Sequence, residues 1–191
     1  MTGTPPGDAR SAELFERLLR VNGLLRERAS RFSATEMKHR PGPRKWTAGE
    51  VLGHLALTAQ LYADAMEPAL EKSRIARRAT GPTGPGLSLL GRMLLWFLRP
   101  GASFPVKAPG KFKPGPSSAR PLEELLEQHE RLAAMLRDSG DIDLSRVRFW
   151  NPAIRVARMN VREAIEVLVS HAEHHLLQLD RIENAIKRRG G

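Results

Sequence analysis

The sequence predicts an all-α protein, a bundle of four long amphipathic helices with one long crossover connection. Four segments carry apolar residues at three- and four-residue spacing, tracts rich in proline and glycine separate them, and little of the chain alternates in the manner of a strand. With 191 residues and no internal repeat, the chain reads as a single domain over 1–191. A core of that size removes roughly 70% of the unfolded surface from water.

Residues 1–10, with TPPG near the start, are expected to be flexible. From Ser11 to about Phe32, the residues Leu14, Leu18, Leu19, Val21, Leu24 and Leu25 form an apolar stripe against Glu16, Arg17 and Arg26, which predicts the first helix. The tract HRPGPRKWT breaks the chain. Thr47 then offers a cap, with Glu50 in the capping-box position three residues later, so a second helix begins there and carries His54 and Tyr62 to Glu67. Pro68 should kink or end it, with helical pattern resuming to about Arg78.

Residues 79–119 read as a basic crossover containing a short apolar helix at about 87–98. That helix, from LSLLGRMLLWFL, is too short to span a membrane, which takes ~20 apolar residues. Periodicity resumes from Arg120 to Ser139 through Leu122, Leu125, Leu126, Leu132 and Leu136. Asp141 to Asn160 reads as irregular or turn-like. The last helix follows over Asn160–Lys187, with Asn160 as its cap and Glu163 three residues on.

Composition narrows the chemistry. The absence of cysteine excludes disulfides, thiolate ligands, iron–sulfur clusters and a cysteine nucleophile. The N-terminal sequence lacks both the basic start and the apolar stretch of a signal peptide, so a cytoplasmic location is expected. The net charge of +10 is concentrated: between Lys72 and Leu122 there are ten basic residues and no acidic one, which leaves 21 basic against 21 acidic residues elsewhere.

Three of the six histidines, His171, His174 and His175, fall within five residues of one another. A helical projection at ~100° per residue places His171 and His175 on the apolar face with Ala164, Val167, Leu168, Leu179, Ile182 and Ile186, and His174 at its margin. The same projection groups His54 with Val51, Leu55, Thr58, Leu61 and Ala65. Two helices therefore aim imidazole inward, and inward imidazoles need partners for their nitrogens. A divalent cation bound by His54, His171 and His175 would provide one, zinc or nickel being the candidates; hydrogen bonds within a dry core are the alternative. Gln178, beside that face, could orient a bound ligand or simply edge the surface. Glu50, one turn before His54, could accept its second ring N–H or serve only the cap. His39 and His129 lie among polar residues and are expected on the surface.

The segments KWTAGEVLGHLALTAQLY, VRFWNP and REAIEVLVSHAEHHLLQLDRI together resemble the DinB-like superfamily of four-helix-bundle metalloproteins, which includes bacillithiol transferases and is similar to mycothiol-dependent maleylpyruvate isomerases. The most specific elements are the tryptophan ahead of an apolar run ending in His-Leu and the later H-x-x-x-H-x-x-Q. The resemblance implies that His54, His171 and His175 occupy the family's metal positions and that Trp46 packs at the entry to the second helix. It also implies metal-dependent chemistry, in the better-understood branches the activation of a low-molecular-weight thiol cosubstrate for transfer or isomerisation; since an open position on the cation could equally activate water, a hydrolase or thiol-transferase reaction on a small-molecule substrate is expected. It identifies no further catalytic residue.

The apolar insert and its basic surroundings match no catalytic feature of that family. Four roles are open to them: capping the end of the bundle, forming a homodimer, lining a hydrophobic pocket, or lying on an anionic membrane surface. Nucleic acid is not expected as a partner, since no DNA-reading motif accompanies the charge. The alternative function is accordingly that of a non-enzymatic stress-response or binding protein that uses the insert to contact a membrane or a partner.

Overall fold

The computed structural model describes residues 8–76, 86–99, 110–115, 118–140 and 142–190. Helix α1 spans Ala9–Ala29; it starts two residues before Ser11 because the Asp8 carboxylate accepts hydrogen bonds from the backbone N–H groups of Arg10 and Ser11. It also stops earlier than Phe32. Ser33 opens a separate one-turn helix, α2 (Ala34–Lys38), through a capping box with Glu36.

Helix α3 runs over Ala48–Ile75 and begins as expected, with Thr47 Oγ1 accepting from Glu50 N at 3.0 Å and Glu50 Oε2 accepting from Thr47 N at 2.8 Å. Pro68 does not end it. Both Pro68 and Asp64, whose carbonyl loses its usual partner, are exposed, so water can replace the missing bond. The apolar insert forms α4 (Leu89–Leu98), and a single 3-10 turn follows at Gly110–Phe112. Residues 79–85, 100–109 and 116–117 of the expected crossover, and residues 1–7 of the stretch expected to be flexible, lie outside the described residues. Helix α5 covers Pro121–Arg137, with proline in its first turn.

The stretch expected to be irregular holds a small antiparallel ribbon, β1 (Arg148–Trp150) and β2 (Arg158–Asn160), with Phe149 opposite Met159. Three residues per strand are too few for alternation to register as a pattern. Burial of Phe149 and Met159 stabilises the ribbon, together with the buried Asn151 side chain, whose oxygen accepts from Ala153 N and Ile154 N in the turn. Asn160 then caps α6 (Val161–Gly190), its side-chain oxygen accepting from Glu163 N at 2.8 Å.

The four long helices form a closed ring in which α1 packs on α5 and α6, and α3 on the same two. Ion pairs give the directions. Arg17 meets Glu173 and Arg28 meets Asp180, so α1 and α6 run parallel. Arg131 bridges to Asp64 and Glu67, and Arg74 donates to the Asp138 carbonyl, so α3 and α5 also run parallel. A parallel pair joined in sequence requires a connection that climbs the full length of the bundle, which is why the crossover is long. Along that climb Ser88 meets Glu163 at the start of α6, and Phe112 reaches the level of His54.

Helix α4 lies close on α6 at Gly91. A methyl group on Gly91 would stand 1.8 Å from Glu163 Oε1. Glu163 cannot swing aside freely, because it accepts from Ser88 N and Oγ on one oxygen and from the backbone and side-chain nitrogens of Asn160 on the other. Replacement Gly91→Ala is therefore expected to lower stability by about 1–3 kcal/mol in thermal or urea unfolding. Gly23→Ala, in open space on α1, should raise it by roughly 0.5–1 kcal/mol.

Candidate metal centre

The antiparallel packing of α3 on α6 brings His54 against His171 and His175. Their Nε2 atoms converge: His171 Nε2 is 3.3 Å from that of His54 and 3.0 Å from that of His175. His54 and His175 are buried, whereas His171 is half-buried and keeps contact with solvent. Trp46 closes one side, its ring 4.8 Å from that of His54 and stacked at 6.5 Å on that of His175.

The opposite ring nitrogens fix the tautomers. His54 Nδ1 lies 2.6 Å from the Phe112 carbonyl oxygen, and His175 Nδ1 lies 2.7 Å from Gln178 Oε1. Neither acceptor carries a proton, so both Nδ1 atoms must donate. In the neutral rings, the Nε2 atoms of His54 and His175 are then bare lone pairs, both directed at His171. One N–H on His171 Nε2 cannot satisfy both fully, whereas a single cation would satisfy all three nitrogens. Around a tetrahedral zinc with bonds of ~2.0–2.1 Å the nitrogens would stand about 3.3 Å apart, close to the two observed separations.

Burial holds all three imidazoles below their ordinary pKa. For His54 desolvation outweighs the Phe112 hydrogen bond. His171 is held well below the usual value by desolvation, reinforced by repulsion from His175 and His54. His175 is pushed down to about 3 by desolvation and then by His54, against the opposing Gln178 bond. The rings are thus kept neutral, the form that donates to metals.

A family model for the DinB superfamily matches residues 17–179. The chain belongs to the DinB superfamily. No curated protein and no solved structure matches it. Within this DinB chain the three-histidine group could hold one metal ion, all three donor atoms lying within 4.8 Å of one another. Among the described residues of the DinB fold no helix is long and apolar enough to cross a membrane.

Gln178 steadies His175 through its ring N–H. Glu50 does not reach the site: one oxygen is committed to the Thr47 cap and the other to Arg40 at 2.6 Å, while the His54 N–H goes to Phe112. That backbone carbonyl has no signature in sequence. His174 stays outside the triad, edge-on to His175, with its Nδ1 buried and without a hydrogen-bond partner.

His129 is no surface residue. It is 2% exposed, and its Nδ1 lies 2.5 Å from Asn22 Oδ1 across the α1–α5 interface. The spacing of Leu125, His129, Leu132 and Leu136 on α5, and of Leu18, Asn22 and Leu25 on α1, carries the signal for this buried pair: each polar residue sits inside an apolar stripe.

Proposed function

We propose that the protein is a metal-dependent enzyme that holds a divalent cation, zinc or nickel, through His54, His171 and His175 and acts as a hydrolase or thiol transferase. The observation that carries this reading is the pair of Nε2 lone pairs, fixed by Phe112 and Gln178, that converge on His171. Three neutral imidazoles suit zinc, nickel or a related transition metal better than magnesium or calcium, which seek oxygen donors.

When bound, the cation supplies Lewis acidity that moves the pKa of a water or thiol toward neutrality. The protein's own groups prepare the place. Phe112 O and Gln178 Oε1 each hold a proton on an Nδ1, leaving the facing nitrogens bare. Trp46 screens His54 and His175 from water, and half-buried His171 marks the side open to a small molecule. With no cysteine in the chain, a thiol nucleophile would arrive as a cosubstrate.

The test is turnover of a panel of esters, and of electrophiles offered with low-molecular-weight thiols, by metal-loaded, chelator-stripped and His171→Ala protein. Activity present only in the first supports the proposal. Metal binding without turnover of either class would favour a binding protein instead. Gln178→Leu should keep the fold and weaken metal affinity roughly 10- to 100-fold, as losses of outer-shell partners do, measured by competition against a chromogenic chelator.

A further inference from the structure

We infer that the solvent-facing side of α4 docks the protein onto the surface of an anionic lipid bilayer. The helix has two unlike sides. Leu90, Leu94, Leu95 and Leu98 pack against the bundle core, and Gly91 sits on Glu163. That side caps the bundle and accounts for half of the apolar insert.

The outer stripe follows the spacing of one helix face and carries Leu89, Arg92, Met93, Trp96 and Arg99. Leu89 is 83% exposed, Met93 45% and Trp96 42%. Single exposed apolar residues are ordinary, but three grouped on one helix face make a contiguous patch, and such patches mark interaction sites. The guanidinium of Arg99 lies 4.6 Å from the centre of the Trp96 ring, an amphipathic pair suited to the headgroup level.

Charge selects the occupant. The span from Lys72 to Leu122, which contains α4, has ten cations and no carboxylate. A second copy of the chain meeting this face about a two-fold axis would oppose Arg92 and Arg99 with the same two cations, and α4 itself carries no carboxylate. An anionic bilayer offers the opposite charge to the arginines and an apolar layer to Leu89, Met93 and Trp96, and it is a flat partner that needs no pocket. At ten residues, α4 can lie in the interface but cannot span it. Its cap at Ser88 and its seat on Glu163 hold it already folded, so docking carries no cost of forming the helix. This inference is independent of the metal site and can fail without it.

The test sediments the full chain with vesicles of phosphatidylcholine alone or mixed with phosphatidylglycerol, at low and at high salt. The parent should pellet with the anionic vesicles, stay in solution with the neutral ones, and be released by salt. The charge-preserving variant Leu89→Ser/Met93→Ser/Trp96→Ser should lose roughly tenfold or more of its partitioning, and Arg92→Gln/Arg99→Gln should weaken it and flatten its salt dependence. Helicity by circular dichroism and a cooperative thermal transition like the parent's certify that each variant is folded. Three results would overturn the inference: no pelleting of the parent, equal pelleting of the serine variant, which means diffuse attraction to the basic chain, or a dimer in solution that the serine changes dissolve.

Discussion

Alanine at position 171 is expected to abolish stoichiometric metal binding. His171 is the middle donor, within 3.0 and 3.3 Å of the nitrogens of its two neighbours, and its loss leaves two imidazoles still locked by Phe112 and Gln178 but short of a third ligand. The effect should exceed the roughly 10- to 100-fold expected for Gln178→Leu, because a direct donor is removed rather than its support. In the parent, zinc at about 100 times its dissociation constant adds roughly 2.7 kcal/mol to stability. For a chain of this size that corresponds to a rise in Tm of about 5–10 °C. The His171→Ala protein should show almost none of that rise. Its metal-free Tm should change little, since the variant loses buried contacts but also the repulsion of facing lone pairs. Equal metal content in parent and variant, by elemental analysis after extensive dialysis, would remove the site from the proposal.

Acid should destabilise the metal-free protein well above the range in which carboxylates titrate. His129 is buried beside Asn22, and desolvation lowers its pKa from 6.5 to about 4. Between those values the unfolded chain takes up a proton that the folded one refuses. Stability is therefore complete above pH 6.5, falls as the pH drops toward 4, and loses nothing further from this group below that. The shift corresponds to a loss on the order of 3 kcal/mol from His129 alone. His175, lowered to about 3, acts in the same direction, as do His54 and His171. Urea unfolding at a series of pH values should show the slope. In His129→Gln, whose amide can still donate to Asn22 and does not titrate, the slope should be visibly shallower. An unchanged slope would mean that His129 gains water in the folded protein.

Repeating side-chain patterns made much of the bundle readable in advance. Thr47 and Glu50, and again Asn160 and Glu163, announced helix starts, because a cap needs particular residues at a spacing of three. The same signature at Ser33 and Glu36 was present for α2, and was obscured by its length of five residues. Pro68 misled because the cost of a proline depends on whether water can reach the carbonyl it leaves unpaired, and exposure is not a local property. His129 misled for a related reason: its sequence neighbours are polar, while its neighbours on the helix face are leucines.

By itself the sequence determined which helix faces are apolar, that His54, His171 and His175 point inward, and that all the excess positive charge belongs to one span, because periodicity and composition are written into consecutive residues. Only the tertiary structure decided that the three nitrogens meet, that a backbone carbonyl at Phe112 rather than Glu50 holds His54, and that one side of α4 is spent on the core while the other faces out. The meeting of the nitrogens depends on the antiparallel packing of α3 on α6, and the Phe112 contact on the parallel pairing of α3 with α5, which forces the crossover up the bundle; both bring residues far apart in the chain to the same level. No local pattern encodes that meeting.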